Sequence, residues 1–296
     1  MDDNDWLAER FEAHRPRLRA VAYRMLGSLA EADDAVQDTW LRLSRAGASE
    51  VENLGGWLTT VLARVCLNML RSRTTRSEAP LDLHLPDPVI SREGELEPEQ
   101  EALLADSVGL ALLVVLDTLS PAERLAFVLH DMFDLPFDEI APMVGRSPEA
   151  ARQLASRARR RVRGAEVPAP DPNLARQRGV VDAFFQAARG GDFDALVALL
   201  DPDVVLRSDF GPRRPAAPVV TRGAAAVARQ ALLGALPGAQ LHPALVNGTA
   251  GVVITVKGRP FAVMGFTVTA GRIAEIDAIA DPDRVRRIAA AVLGDA

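Results

Sequence analysis

Between Ser147 and Arg163 six arginines (Arg152, Arg157, Arg159, Arg160, Arg161 and Arg163) are set against a single carboxylate, Glu149. A guanidinium can make two parallel hydrogen bonds to a guanine edge, a glutamine amide can do the same to adenine, and a serine serves either. On a helix Arg152, Ser156 and Arg159/Arg160 lie three or four residues apart and share one face, with Gln153 and Arg157 beside it. Arg152, Gln153, Ser156, Arg157 and Arg160 are therefore candidate DNA contacts, and the remaining arginines are suited to phosphates, which fix register without reading sequence. The plainer alternative is a solvated basic helix. What precedes the arginines argues against it.

Ser120-Pro121-Ala122-Glu123 is a capping box with proline at the first helical position. Gly145-Arg146 then gives a glycine turn, and Ser147-Pro148-Glu149 a second helix start. A short scaffold helix over 137–144, a tight turn and a basic second helix form a helix-turn-helix. Pro142 lies inside the scaffold helix, where it removes a backbone donor and should bend or shorten it.

A second basic helix starts at Trp57. Arg64, Asn68 and Arg71 follow one another at spacings of four and three, Arg73 and Arg76 come after, and no carboxylate occurs from Trp57 to Ser77. Behind a loop containing Gly47, Ser49, Gly55 and Gly56, such a face could hold an unstacked base and its strand, or be a surface helix with cations at its C-terminus. A third stretch places Asp34, Gln37, Asp38 and Leu41 on one acidic, amphipathic stripe that suits a protein partner. Carboxylates early in a helix also complement its dipole without further purpose.

The chain has 296 residues, 48% hydrophobic and 25% charged, with a net charge of −6. That total excludes a general nucleic-acid coat, so DNA contact must come from local patches. Lys257 is the only lysine. Cys66 is the only cysteine, which excludes disulfides and thiol-rich metal sites and fits a reducing compartment. No apolar run is long enough to span a bilayer, and the opening Met1-Asp2-Asp3-Asn4-Asp5 lacks the basic start of a signal peptide. The expectation is a cytoplasmic protein with no membrane contact, no metal and no cofactor.

Residues 5–76 read as helices. Residues 77–106 carry Pro80, Pro86, Pro88 and Pro98 and nine carboxylates against Arg92, an acidic linker whose like charges should keep it extended. Helices return over 107–165. A stiff proline-rich linker spans 166–173, and 174–296 reads as two helices (174–189 and 192–200) followed by strands at 203–208, 243–247, 251–257, 260–269 and 272–278. Helices first and an antiparallel meander after them predict a separate α+β domain, with turns at Gly258 and Gly271.

In this order and spacing, residues 11–163 resemble the extracytoplasmic-function group of bacterial RNA polymerase sigma factors. Tyr23-Arg24-Met25-Leu26-Gly27-Ser28, the run from Asp33 to Arg42, and Gly56-Trp57-Leu58 are similar to sigma domain 2. Leu119 to Arg124, Phe137 to Ala141 and Ser147 to Arg163 are similar to sigma domain 4. The resemblance implies that Asp34, Gln37, Asp38 and Leu41 grip the clamp helices of bacterial core RNA polymerase. It implies that the loop Ser44–Gly56, with Arg64 and Asn68, captures and opens the minus-ten element of promoter DNA; the neighbouring Arg71 is a further candidate DNA contact. Arg152, Gln153, Ser156 and Arg157 would read the minus-thirty-five element, Arg160 is a further candidate DNA contact, and the acidic linker would thread the RNA-exit path.

The C-terminal region resembles the cone-shaped SnoaL-like fold found fused to a subgroup of these factors. The fold class expected is thus multidomain: two all-α sigma domains, then an α+β SnoaL-like domain. The subgroup's Trp-Leu-Pro-Glu-Pro and Asn-Pro-Asp-Lys-Leu phrases appear here altered, as His84-Leu85-Pro86-Asp87-Pro88 and Asp281-Pro282-Asp283-Arg284-Val285. Pro86, Asp87, Pro88, Asp281, Pro282, Asp283 and Arg284 are accordingly candidate regulatory residues for an intramolecular contact with the sigma domains or the linker. Arg207, Asp209, His242 and Asp277 are candidates for a ligand pocket, and a small-molecule ligand is an open expectation. Two rivals remain: a ligand-responsive helix-turn-helix regulator acting without polymerase, and an isomerase- or cyclase-type enzyme with Asp209 or His242 as base. The expectation favours a transcription factor without catalytic residues.

Overall fold

A computed structural model of the chain describes residues 3–46, 53–76, 85–93, 109–165, 168–211 and 219–294. These fall into two compact units, the first holding 3–76 and 112–165, the second 85–93, 109–111 and 168–294.

The first unit is helical. Its first three helices, α1 (Asp3–Leu26), α2 (Leu29–Ala46) and α3 (Leu54–Arg76), pack on one another. The apolar stripe Leu18, Val21, Ala22, Met25 and Leu26 is buried, as are Ala35, Val36 and Leu43 on α2. Phe11 meets Trp40 with ring centroids 5.1 Å apart. After α4 (Leu110–Asp117), α5 (Pro121–Phe127) runs into a π-helical turn over Val128–Met132. The helix-turn-helix is completed by α6 (Phe137–Val144) and α7 (Pro148–Gly164). Gly145 closes α6 in the left-handed region (φ 66°) and sets the tight turn. Pro142 does not break α6, which ends two residues later.

Two phrases that lie a hundred residues apart meet in this unit. The Arg124 guanidinium, only 2% exposed, donates to the Arg24 carbonyl (2.9 Å) and pairs with Asp117 (2.6 Å). Arg17 donates to the Phe133 carbonyl (3.1 Å), and Arg24 lies 5.1 Å from the Phe133 ring centroid. Burial pulls the Arg124 pKa down and Asp117 pulls it back up.

The second unit is built on a seven-stranded sheet. It comprises β1 (Ile90–Ser91), β2 (Leu200–Asp209), β3 (Val219–Arg222), β4 (Ala239–Val246), β5 (Thr249–Val256), β6 (Arg259–Thr269) and β7 (Arg272–Ile279), in the order β1-β4-β5-β6-β7-β2-β3. Four further helices accompany it: α8 (Leu174–Gly190), α9 (Phe193–Leu199), α10 (Ala224–Leu233) and α11 (Pro282–Leu293). Val181, Phe184, Leu196, Leu206, Phe266 and Ile276 belong to one buried core. The expected meander is only part of this sheet. From β4 to β7 each strand pairs antiparallel with the next, but β2 lies parallel to β7 and takes β3 on its other side. The hairpins at Lys257-Gly258 and Ala270-Gly271 place both turn residues at positive φ, as a two-residue turn of the primed type requires.

The larger departure concerns the acidic linker. Residues 85–91 are all buried, and Ile90–Ser91 forms the edge strand β1, antiparallel to Leu245–Val246. Like charges predict an extended tether; the backbone is extended, but seated. Leu85, Val89 and Ile90 bury apolar area within the charged run, and that local gain outweighs average composition. The proline-rich linker is fastened too: Asp171 N–H donates to the Val268 carbonyl (2.7 Å), and the Thr269 hydroxyl to the Ala169 carbonyl (2.8 Å).

Candidate functional site

In the first unit the sequence-derived residues sit where helix periodicity puts them. Ser120 and Glu123 form the reciprocal cap, with Ser120 N–H to Glu123 Oε2 at 3.2 Å and Glu123 N–H to Ser120 Oγ at 3.4 Å. Glu123 also receives Arg161 (3.1 Å) and lies 3.7 Å from Arg157, so one carboxylate caps α5 and steadies the basic helix. Ser147 caps α7 through the Ala150 N–H (3.3 Å). Ala151, Ala155 and Ala158 bury one face of α7, leaving Arg152, Gln153, Ser156, Arg157 and Arg160 exposed. Arg159 pairs with Asp131 and is thereby an internal brace. Arg152 is stacked 5.3 Å from the Phe137 ring centroid, which orders its guanidinium without covering it.

On α3 the side chains of Arg64, Asn68 and Arg71 are exposed, while Leu62, Ala63, Val65, Cys66 and Leu67 are buried. Burial pushes the Cys66 thiol up to about 12. Residues 47–52 of the loop Ser44–Gly56 lie outside the described residues. On α2, Asp34, Gln37 and Leu41 are exposed and Asp38 is half-buried, paired with Arg42 (3.0 Å). Leu41, 42% exposed beside those polar groups, gives the stripe an apolar anchor.

In the second unit the two altered phrases are joined. Arg284 Nε and Nη2 donate to Asp87 Oδ1 (2.9 and 2.7 Å), Nη2 also to the Leu85 carbonyl (2.6 Å), and Nη1 to Asp209 Oδ2 (2.5 Å). The same Asp209 oxygen accepts the Leu85 N–H at 3.0 Å. All three charged groups are buried. Asp281 is the N-cap of α11, accepting from the Asp283 and Arg284 N–H groups, with Pro282 at the first helical position. The phrase thus divides its work: Asp281, Pro282 and Asp283 start the helix, and Arg284 reaches the linker. A Cβ on Gly211 would overlap the Asp281 carboxylate, so this close approach requires glycine.

Several residues of this clasp escaped the sequence reading. Asn247 exchanges two hydrogen bonds of 2.8 Å with Val89. Arg178 binds Glu93 (2.7 Å) and the carbonyls of Gly251 and Ala244 (2.8 Å each). Arg92 donates to the Val292 carbonyl (3.0 Å). Arg178 carried one available signal, a cation at mid-helix beside the buried residues Gln177 and Val181.

The four candidate pocket residues do not line the unit's apolar cavity. That cavity is walled by Leu206, Ser208, Leu241, Ile276 and Ala278, among others. Strand alternation therefore turns Arg207, Asp209, His242 and Asp277 to the other face. His242 Nε2 lies 3.0 Å from the Thr255 hydroxyl. Arg207 bridges Glu275 (2.8 Å) and Asp277 (3.1 Å), and among the described residues Glu275 Oε2 has no hydrogen-bond partner.

Burial pushes the Asp277 carboxyl up to about 6, Arg207 pulls it down, and the Glu275 charge adds to the rise. A carboxyl whose folded-state pKa exceeds the ordinary value of about 4 binds its proton better folded than unfolded. Its stabilisation is complete below about pH 4 and is lost as pH rises through about 6. Acidification from pH 7 to pH 4 is expected to add about 2 to 3 kcal/mol from this group, a gain absent in Asp277→Asn. Unfolding titrations of the two proteins across that window check it; parallel pH profiles contradict it.

A capped helix-turn-helix with an exposed basic helix, joined to a three-helix unit with an acidic stripe and a second basic face, defines a sigma-70-type transcription factor. A family model for sigma-70 region 2 matches residues 10–76, and one for sigma-70, region 4 matches residues 109–162. The chain belongs to the extracytoplasmic-function (ECF) RNA polymerase sigma factors, and its second unit is the α+β SnoaL-like domain. It is 39% identical over 288 residues to the ECF RNA polymerase sigma factor SigJ of Mycobacterium tuberculosis, covering 93% of this chain and 91% of that one. It is 35% identical over 286 residues to a probable ECF RNA polymerase sigma factor, SigI, of the same organism, covering 95% and 96%. The crystal structure of M. tuberculosis SigJ superposes with a TM-score of 0.75 at 36% identity, over 94% of this chain and 97% of that chain. No described helix is long and apolar enough to cross a membrane.

Proposed function

We propose that the helical unit docks on core RNA polymerase through Asp34, Gln37, Asp38 and Leu41. In this reading Arg64, Asn68 and Arg71 hold the opened minus-ten strand, Arg152, Gln153, Ser156 and Arg157 read the minus-thirty-five duplex, and Arg160 holds its phosphates. Promoter opening draws on binding energy alone and needs neither nucleophile nor metal. The protein acts in the cytoplasm. The SnoaL-like domain controls initiation by holding the linker. The observation that supports this is the seating of residues 85–91 in the second unit, closed by Asp87, Arg284 and Asp209. Linker backbone spent on β1 and on the clasp is withheld from polymerase, and a tethered partner competes at high effective concentration.

Run-off transcription with core polymerase tests both parts. The full chain is expected to direct discrete promoter-dependent transcripts, and a chain ending at Pro168 to give a different yield at equal occupancy of polymerase. Equal yield and equal polymerase affinity would remove the regulatory part. Tight duplex binding without any association with polymerase would remove the whole reading and favour a polymerase-independent regulator.

A further inference from the structure

The SnoaL-like domain contains a cavity of about 190 Å³, open on one side and bounded by the sheet and helices α8 and α10. Its walls include Phe184, Phe185, Leu206, Leu241, Met264 and Ile276. Among the described residues, Ser208 supplies the one hydroxyl on the lining, Gln230 the one side-chain amide, and Arg189 the one charge. Arg189 is exposed, with its guanidinium donating to the Ala239 carbonyl (3.1 Å). Among the described residues, no carboxylate, imidazole, amine or thiol lines the cavity. A proton therefore has no lining base to move to, so the site suits binding and not turnover. An apolar cavity of about 150 Å³ is enough to hold benzene; this one suits roughly ten non-hydrogen atoms. Exposed Leu236 and Phe261 belong to the same lining and give an apolar molecule a route of entry.

The cavity and the clasp share a strand. Leu206, Ser208 and Phe210 line the cavity, and between the last two stands Asp209, whose carboxylate takes both the Leu85 N–H and Arg284. Gly211, at φ +70°, follows and donates to Asp209 Oδ1 (2.9 Å). A close-packed strand shifts as a body, so displacement of Ser208 and Phe210 by an occupant also displaces Asp209.

We propose that this cavity binds a neutral, largely apolar molecule of roughly ten non-hydrogen atoms, and that occupancy resets the grip of Asp209 and Arg284 on the linker. The coupling rests on the regulatory reading of the linker given above; the cavity does not.

The probe is 2-naphthol, neutral near pH 7 with one hydroxyl for Ser208 or Gln230, titrated into the full-length protein while backbone amide exchange is followed at Leu85 and Val89. Saturable one-site binding is expected, with at least a fivefold change in exchange at both amides. Ala262→Trp and Ala278→Leu, on different strands, fill the cavity and are each expected to weaken binding at least tenfold, with cooperative melting showing that the variant is folded. By reciprocity, release of the linker should alter 2-naphthol affinity by the same factor that 2-naphthol alters release, so Arg284→Ala, which favours release, should shift the affinity in that direction by up to that factor. Absence of saturable binding, or binding untouched in the folded filled variants, overturns the site. Binding with unchanged Leu85 and Val89 exchange overturns the coupling alone. Failure of the linker reading itself shows separately, as no effect of Arg284→Ala on transcription without any probe.

Discussion

Replacing Arg284 by alanine is expected to loosen the second unit more than any other single change in the linker contact. The substitution leaves Asp87 and Asp209 buried without their shared cation and removes the donor to the Leu85 carbonyl. Breaking a buried pair from one side costs about 3 to 5 kcal/mol. Exchange of the Leu85 and Val89 amides should then accelerate by a hundredfold or more, and the melting temperature should fall. The combined variant Asp87→Asn, Asp209→Asn, Arg284→Met removes every charge together and is expected to lose less, because no buried ion is left alone. An Arg284→Ala protein that melts like the parent, with unchanged Leu85 protection, would show that the ion cluster does not hold the linker.

The second large effect concerns α7. Arg152 and Gln153 are exposed at the start of the basic helix, the part of a recognition helix that reaches base edges. Each bidentate base contact is worth about 1 to 3 kcal/mol of discrimination. The double variant Arg152→Ala, Gln153→Ala is therefore expected to lose about thirtyfold or more in transcription from its own promoter, with polymerase affinity intact. Arg160→Ala should weaken binding to all duplexes alike and reduce the salt slope by about one. Run-off yields and salt titrations of the polymerase–promoter complex separate the two. A double variant that keeps its promoter preference would assign base reading elsewhere.

What was legible in the sequence follows from the range of each interaction. The capping box at Ser120 and Glu123, the Ser147 cap and the turn at Gly145 are local, so three or four residues specify each of them. Helix faces were equally legible: alanines at 151, 155 and 158 face inward, and the charged side chains between them face outward. The Arg124–Arg24 contact was not, because nothing local records which carbonyl a buried guanidinium will find. The β3–α10 segment is not legible because the chain from Gly211 to Ala235 is rich in proline, glycine and alanine and shows no strand alternation. The parallel β2–β7 pairing is likewise a non-local fact. The pocket residues were misplaced by one position of strand phase: at a period of two, Arg207 and Asp209 go to one face and Leu206 and Ser208 to the other. For the linker, composition over thirty residues hid a seven-residue stretch buried through Leu85, Val89 and Ile90 and through the pairing of Asp87 with Arg284.

The two-residue strand β1 has a cost built into its release. While Ile90 and Ser91 lie against Leu245 and Val246, that end of the sheet's outer border is occupied by the chain itself. Once they leave, the Leu245–Val246 end of β4 also presents bare backbone groups, lengthening the template on which foreign strands add. Every excursion to the unfastened form thus opens a window for self-association, visible as concentration-dependent light scattering. Capture by another macromolecule shortens that window, and so the open form favours solubility only in company.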